Sequence, residues 1–442
     1  MAIKVGMVSL GCPKNQMDAE LMLANLEQAG CEITADSGYA DVVIINTCGF
    51  IADAKAESIE NILEFAQLKK EKQIKKIIVT GCLSQRYQQE LVEEIPECDA
   101  VLGLGANGDI ATVVQRVMAG ERVYDFPSRE SWCLDGSRML TTPHFFAYLR
   151  IADGCDNRCA YCAIPNIRGN LRSRRMENIL AEAQALVSNG VKELVLVAQD
   201  TTVYGRDLYG ESRLPALLTE LCKIEDLKWI RLLYCYPEHI TDELLEVMAR
   251  EEKVLHYMDI PLQHAAGNVL KRMHRPGNRE TLTALIGRIR AAVPDITLRT
   301  TVMVGFPGET EEDFEELCAF IQEARFQRLG CFAFSPEEDT PAYVMPDQVE
   351  DSVKFRRRDI VMEEQARISD AYNAGMVGKT VTVLTESFDR YAECWFGRTE
   401  GDAPDIDGKV FFSAVRPIQP GDLVEVEIID TMDWDLIGEM KQ

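Results

Sequence analysis

Three short apolar runs near the N-terminus each end in a cysteine beside a glycine. Ile3 to Leu10 leads to Gly11-Cys12, Asp41 to Asn46 leads through Thr47 to Cys48-Gly49, and Lys76 to Thr80 leads to Gly81-Cys82. Helical patterns follow, for example Asp18 to Gln28 and Ala52 to Lys70. Strand–helix alternation of this kind implies a parallel sheet with right-handed crossovers. Ligands of such sheets collect at the carboxyl ends of the strands. The three cysteines are therefore expected at one sheet edge, where the glycines admit close backbone approach. Two readings stay open there: three thiolates for a metal cluster, or three buried core cysteines. Cys31 and Cys98 lack the placement and read as structural.

A tighter group follows the apolar run Phe145 to Ile151. Cys155, Cys159 and Cys162 stand four and then three positions apart, with Tyr161 before the last. Three thiolates on one loop hold three irons of a cubane cluster and leave the fourth iron open. A closed zinc site would supply four ligands, so a zinc loop with a distant fourth ligand is one alternative. Three cysteines buried together is another. The spacing and the aromatic residue resemble the signature of the radical S-adenosylmethionine (SAM) enzymes.

Between the two groups, residues 129–142 are rich in turn formers and read as a connection between domains. The loop then opens a second series of β/α units. Further strand candidates are Glu193 to Ala198, Trp229 to Cys235, Tyr257 to Ile260, Thr297 to Val304 and Gly330 to Phe334. Helical patterns separate them, giving six units and a partial (β/α)6 barrel. Polar residues close these strands: Gln199-Asp200-Thr201, Tyr236-Pro237-Glu238, Gln263-His264 and Gly305-Phe306-Pro307-Gly308-Glu309-Thr310. Chemistry in β/α barrels lies at those ends. Gly305 and Gly308 let backbone approach a ligand, while Thr310 or Glu309, with Glu311 and Glu312, also reads as a helix cap with acids in the first turn. His264 is either a ligand or proton donor, or a hydrogen-bonded structural residue. Arg168, Arg172, Arg174 and Arg175 either touch a cofactor carboxylate or substrate, or form a solvated approach to a helix. No His-Glu-x-x-His motif and no Gly-x-Ser-x-Gly elbow occurs.

A long charged helical stretch, Asp347 to Met376, precedes short strands at Thr380 to Glu386, Tyr391 to Gly397, Lys409 to Phe412 and Leu423 to Asp430. They predict a small antiparallel barrel. Small barrels often bind RNA with basic and aromatic faces. Residues 377–442 instead hold 6 Lys+Arg against 14 Asp+Glu, a balance of −8. An acidic barrel attracts a basic partner, or is a solvated acidic surface. The formal net charge of the whole chain, −25, likewise disfavours a general nucleic-acid binder.

The 442 residues suffice for about two to four domains. The predicted divisions are 1–128, a linker at 129–142, 143–375 and 376–442. No run is long and apolar enough to span a membrane, and the N-terminus lacks a signal-peptide layout. A cytoplasmic protein is expected. Its 14 cysteines then point to metal or redox chemistry rather than disulfides. Cys222, Cys235, Cys318 and Cys331 read as small core residues.

Taken together the chain resembles the methylthiotransferases of the radical SAM superfamily. The resemblance rests on Ser9-Leu10-Gly11-Cys12-Pro13-Lys14-Asn15, Asn46-Thr47-Cys48-Gly49-Phe50, Thr80-Gly81-Cys82, the Cys155/Cys159/Cys162 loop with Ile164-Pro165 and Arg168-Gly169, Asp259 to His264, and Val304 to Thr310. It implies an α/β multidomain chain: an N-terminal cluster domain, a radical SAM domain and a C-terminal TRAM barrel. It further implies two 4Fe–4S clusters, one on Cys12, Cys48 and Cys82, the other on Cys155, Cys159 and Cys162. SAM is implied as radical source and methyl donor, with Gln199, Gln263, Gly305 and Gly308 as candidates for holding it. The Leu-Gly-Cys-Pro-Lys-Asn form is similar to the branch that methylthiolates the β-carbon of an aspartate in a basic small-subunit ribosomal protein. The implied partners are that protein, the ribosome or assembling subunit, and donors of electrons and sulfur. A tRNA methylthiotransferase is the nearest alternative, although that branch usually carries Gln-Met-Asn after its first cysteine. A non-catalytic iron–sulfur carrier or ribosome-binding adaptor is an alternative of another class.

Overall fold

The computed structural model describes residues 2–441. They form two compact units. One holds the residues up to 141, with 152–174 and 335–343. The other holds 142–151, 175–334 and the residues from 344 on.

The first unit is built on a six-stranded, all-parallel sheet. Its strands are β1 (Lys4–Ser9), β2 (Glu32–Thr34), β3 (Val42–Thr47), β4 (Lys76–Gly81), β5 (Ala100–Leu102) and β6 (Val123–Asp125), in the order β2-β1-β3-β4-β5-β6. Helices α1 (Pro13–Gln28), α2 (Ala52–Lys70), α3 (Cys82–Glu94) and α4 (Ile110–Met118) supply the crossovers. Strand β3 is buried from end to end, as a central parallel strand covered on both faces must be. Its residues alternate between two cores. Val42 and Ile44 join Leu21, Met22 and Val113 on one face, while Val43 and Ile45 join Ile62, Phe65 and Leu91 on the other. Residues 129–141 pack onto this unit: Trp132 is buried and its indole N–H donates to Asp18 at 3.1 Å.

After β7 (Phe146–Arg150), the chain contributes a short antiparallel pair, β8 (Ala152–Asp153) with β9 (Arg172–Ser173), and a one-turn helix, α5 (Ile164–Arg168). The pair and α5 belong to the first unit. The loop bearing Cys155, Cys159 and Cys162 is therefore grouped with the N-terminal sheet, although its sequence opens the second β/α series. Ile167 and Ala163 explain why, since they pack in one apolar cluster with Cys82 and Leu104.

The second unit carries the six strands anticipated for the barrel: β7, β10 (Glu193–Val197), β11 (Trp229–Leu232), β12 (Val254–Gln263), β13 (Thr297–Val304) and β14 (Arg328–Ala333). They pair in parallel in the order β14-β13-β12-β11-β10-β7, with β7 and β14 as open edges. Strand β12 runs past Ile260, where the sequence pattern stops, to Gln263. Pro261 cannot donate to a ladder, and the register with β13 shifts between Ile260 and Gln263, as a proline inside a sheet requires. The long helix spans Asp351–Ala374.

Five strands close the C-terminal barrel: β15 (Thr380–Asp389), β16 (Cys394–Thr399), β17 (Val410–Ser413), β18 (Leu423–Met432) and β19 (Asp435–Met440), ordered β15-β16-β17-β19-β18. All pairs are antiparallel except β17 with β19. Val383, Val410, Phe412, Val424 and Val426 fill its interior. No helix among the described residues is long and apolar enough to cross a membrane.

Candidate cluster sites and strand-end site

In the first unit Cys12, Cys48 and Cys82 follow β1, β3 and β4, three adjacent strands. Two glycines make the gathering possible. Gly11 has φ +88°, and a Cβ there would stand 2.8 Å from the Cys48 Cβ. Gly81 has φ +100°, and a Cβ there would collide with the Thr47 backbone. Only a residue without a side chain fits either place. The edge is then pinned by amides. The Asn15 side chain donates to Leu10 O at 2.8 Å and to Asn46 O and Thr47 O at 3.2 Å each. Asn46 returns a bond to Asn15 O at 2.7 Å. Ser58 of α2 accepts from the Cys48 N–H at 3.0 Å and donates to Cys48 O at 2.9 Å.

The three thiols differ in electrostatics. Cys12 stands at the N-cap position of α1. Burial works against its thiolate, but Lys14, Arg168 and the backbone N–H groups of Asn15 and Lys14 outweigh it and hold the pKa below the ordinary thiol value. Burial pushes Cys48 up, and Cys82 up to about 12, with Arg168 opposing in both cases.

Arg168 joins the second cysteine loop to this edge. Its guanidinium lies 2.8 Å from Asp18, 3.2 Å from Asp153 and 3.4 Å from the Cys82 sulfur. It is buried, and its pKa is raised because nearby negative groups outweigh burial. Of the other arginines in the run, Arg172 donates to Glu130 O and Trp132 O at 2.7 and 2.8 Å, and Arg174 pairs with Asp135 at 2.6 Å. These side chains tie β9 and the residue after it to the segment around residues 130–135. On the loop itself the Cys155 N–H donates to Gly169 O at 3.0 Å, and the Cys162 N–H to Cys159 O at 3.1 Å.

Among the described residues no three His, Cys, Asp or Glu side chains are arranged around a single metal ion. Ligands of one ion share one centre at about 2.3 Å, whereas thiolates of a cubane each bind a different iron. The donor chemistry of both groups, thiol-only and three in number, fits such a cluster. The buried guanidinium of Arg168 beside Cys82 suits a cluster held by anionic ligands.

In the second unit the strand-end residues are fixed by a knot around Glu309. This buried carboxylate accepts from the N–H of Gly305 at 2.7 Å and Phe306 at 3.3 Å, pairs with Arg357 at 2.7 Å, and lies 3.5 Å from His264 Nε2. His264 is fully buried, and its Nδ1 accepts from the Ala266 N–H at 3.0 Å. Its contacts are those of the structural reading. Gly305 and Gly308 both have positive φ, and their missing Cβ atoms leave room for the side chains of Lys354 and Arg272. Thr310 caps the following helix in a capping box with Asp313. Gln263, at the end of β12, has φ +72°. Strain of this kind in a non-glycine residue is concentrated at functional sites. Gln199 follows the end of β10, on the same edge of the sheet. The pairing of Glu309 with Arg357 is not legible in the sequence. Glu309 looked like one acid among several before a helix, and Arg357 lies 48 residues further on.

Family models match the chain in three places: "Uncharacterized protein family UPF0004" at residues 4–103, the radical SAM superfamily at 149–321 and the TRAM domain at 377–440. Several relatives carry the name ribosomal protein uS12 methylthiotransferase RimO. The Pelotomaculum thermopropionicum protein is 50% identical over 442 residues, 99% of each chain. The Thermoanaerobacter sp. (strain X514) protein is 49% identical over 98% of this chain and 99% of its own. The Clostridioides difficile (strain 630) protein is 46% identical over 99% of each. The chain belongs to the RimO family. Members of the RimO family are radical SAM methylthiotransferases, so the chain is an enzyme whose cofactors are SAM and 4Fe–4S clusters. Among solved structures, the radical SAM methyltransferase TsrM from Kitasatospora setae is similar in fold. Its TM-score is 0.57 at 14% identity, over 77% of each chain.

Proposed function

We propose that this RimO-family enzyme, whose relatives are named ribosomal protein uS12 methylthiotransferases, methylthiolates the β-carbon of an aspartate in that small-subunit protein. One observation carries the reading: a chain 50% identical to a uS12 methylthiotransferase over nearly its whole length holds two cysteine triads in one compact unit. In this proposal Cys155, Cys159 and Cys162 hold the cluster that binds SAM, and Cys12, Cys48 and Cys82 hold the second cluster. Gln199, Gln263, Gly305 and Gly308 line the SAM site. When bound, these groups supply a radical able to take hydrogen from an unactivated carbon, and the methylthio group that replaces it.

The chain's own residues have defined tasks. Lys14, Arg168 and the start of α1 favour the thiolate of Cys12, the form that binds iron. Asp18 and Asp153 orient the Arg168 guanidinium from two sides, so that it faces Cys82. Glu309 and Arg357 lock the Gly305–Gly308 turn, and the strained Gln263 presents its backbone at the strand end. The acidic TRAM barrel, with 14 acids against 6 bases in residues 377–442, supports a basic protein as substrate. We place the reaction in the cytoplasm, with the ribosomal subunit as the setting and separate donors of electrons and sulfur.

The test is a reduced, cluster-reconstituted enzyme with SAM and uS12 or its loop peptide. A gain of one methylthio group on the protein is expected. Methylthiolation of tRNA with no gain on uS12 would overturn the reading. The division of labour has its own check. Cys12→Ala retains SAM cleavage and loses sulfur transfer, whereas Cys159→Ala loses both. Equal loss of 5′-deoxyadenosine production in the two variants would contradict it.

A further inference from the structure

Helix α2 has two apolar faces, and the fold uses one of them. Ile62, Phe65 and Ala66 enter the core of the first unit. On the other face Ala56, Ile59 and Leu63 follow at helical spacing, with Ile59 39% and Leu63 51% exposed. A helix packed on one side has no need of a second apolar stripe. Facing this stripe are Leu83, Tyr87 and Leu91 of α3, and the hollow between the helices is about 500 Å³. It adjoins the open face of α2 that carries Ala56, Ile59, Glu60, Leu63 and Glu64, with Ile59 and Leu63 common to both.

The rim of this groove is acidic. Glu60 and Glu64 stand on α2, Glu90 and Glu94 on α3, with Glu338 beside them. Among the described lining residues Lys55 is the one cation, and its ammonium is already held by Glu337 at 2.8 Å and the Tyr87 hydroxyl at 3.1 Å. An apolar floor between glutamate walls matches one ligand geometry best. It fits a helix with apolar residues at i, i+3 or i+4, and i+7, flanked by lysine or arginine.

We propose that the α2–α3 groove docks a basic amphipathic helix of a second protein. The two helices of the groove also meet the cysteine edge, since α2 carries Ser58 and α3 begins at Cys82. Ser58, next to Ile59, holds both backbone groups of Cys48, and Leu83 follows Cys82 in the chain. The position suits a partner that brings sulfur or electrons to that edge. This role rests on the function proposed above, whereas the groove and its charge do not.

The test uses the full chain and two labelled synthetic peptides of about 18 residues, long enough to form a helix on docking. One arranges leucine and lysine on opposite helical faces, and the other has the same composition scrambled. Fluorescence anisotropy is expected to show the ordered peptide binding about ten-fold tighter than the scrambled one. Leu63→Asp should weaken the ordered peptide about ten-fold although it adds a negative charge. Glu60→Lys with Glu64→Lys should weaken it and flatten its salt dependence, while Glu425→Lys on the C-terminal barrel should leave it unchanged. Equal binding of the two peptides, or unchanged or tighter binding by Leu63→Asp, would overturn the proposal, because diffuse attraction to an acidic chain predicts those results. A dimer in sedimentation that Leu63→Asp returns to monomer would also overturn it, in favour of a second copy of this chain.

Discussion

Arg168 shows how one side chain carries more than its sequence context implies. As one of four arginines in eight residues it reads equally as a ligand contact or a solvated approach. The structure buries it between Asp18 and Asp153 and against the Cys82 sulfur. Replacing it with methionine removes the cation that lies 2.8 Å from Asp18 and 3.2 Å from Asp153. Arg168→Met is therefore expected to lose about 3–5 kcal/mol of stability. Guanidinium chloride denaturation of the metal-free chain measures this, and Arg168→Lys should recover only part of the loss because it lacks the two-pronged geometry. An unchanged midpoint for Arg168→Met would mean that the carboxylates are solvated or protonated instead. No sequence signal reveals this pairing, because Asp18 lies 150 residues from Arg168.

The strand–turn–helix junctions show the same dependence one level up. Gly30 and Gly81 both have positive φ, yet nothing stands within 4 Å of a Cβ built on Gly30, whereas one on Gly81 strikes the Thr47 backbone. Gly30→Ala should cost only the left-handed backbone penalty, roughly 1–2 kcal/mol. Gly81→Ala should cost about 1–3 kcal/mol more from overpacking, and should lower iron loading of the N-terminal triad by pushing β4 away from β3. Denaturation midpoints and iron content per chain check both. Equal losses in the two variants would show that the β3–β4 edge is not close-packed. The elements themselves were largely legible, because buried parallel strands are near-continuous apolar runs and the helices between them are periodic. The strands Glu32–Thr34, Ala100–Leu102 and Val123–Asp125 were not, since three residues carry no period.

At the scale of the molecule, a buried ion triad joins the C-terminal barrel to the parallel sheet of the second unit. Glu193, at the start of β10, pairs with Arg231 of β11 and Arg398 of β16 at 2.7 Å each. Burial alone would raise the Glu193 pKa, but Arg398 and Arg231 outweigh it and carry it below the ordinary carboxylate value. A lowered folded-state pKa means that the stabilisation is complete above the unfolded-chain value of about 4.3. It is lost as pH falls through the still lower folded value. The triad should therefore add no pH dependence between about pH 5 and 8. Glu193→Gln is expected to be about 3–5 kcal/mol less stable at neutral pH and to lose less than the parent chain in acid. Denaturation midpoints across pH test the sign, and parallel profiles for the two chains would count against it.

The candidate cysteine loop at 155–162 stands out in the sequence because its spacing is local, with three thiols within eight residues. The division into a parallel sheet, a second β/α series and a small barrel was readable for the same reason, since period and turn chemistry are short-range. The meeting of Cys12, Cys48 and Cys82, 36 and 34 positions apart, was predictable only as far as strand–helix alternation predicts a common sheet edge. Tertiary structure decided the rest: the strand order that makes β1, β3 and β4 neighbours, the parallel pairing of β17 with β19, and the grouping of the loop with the N-terminal sheet. Each depends on contacts between residues far apart in the chain, such as Arg168 with Asp18 or Ile167 with Leu104. Burial energy, not local propensity, selects those contacts.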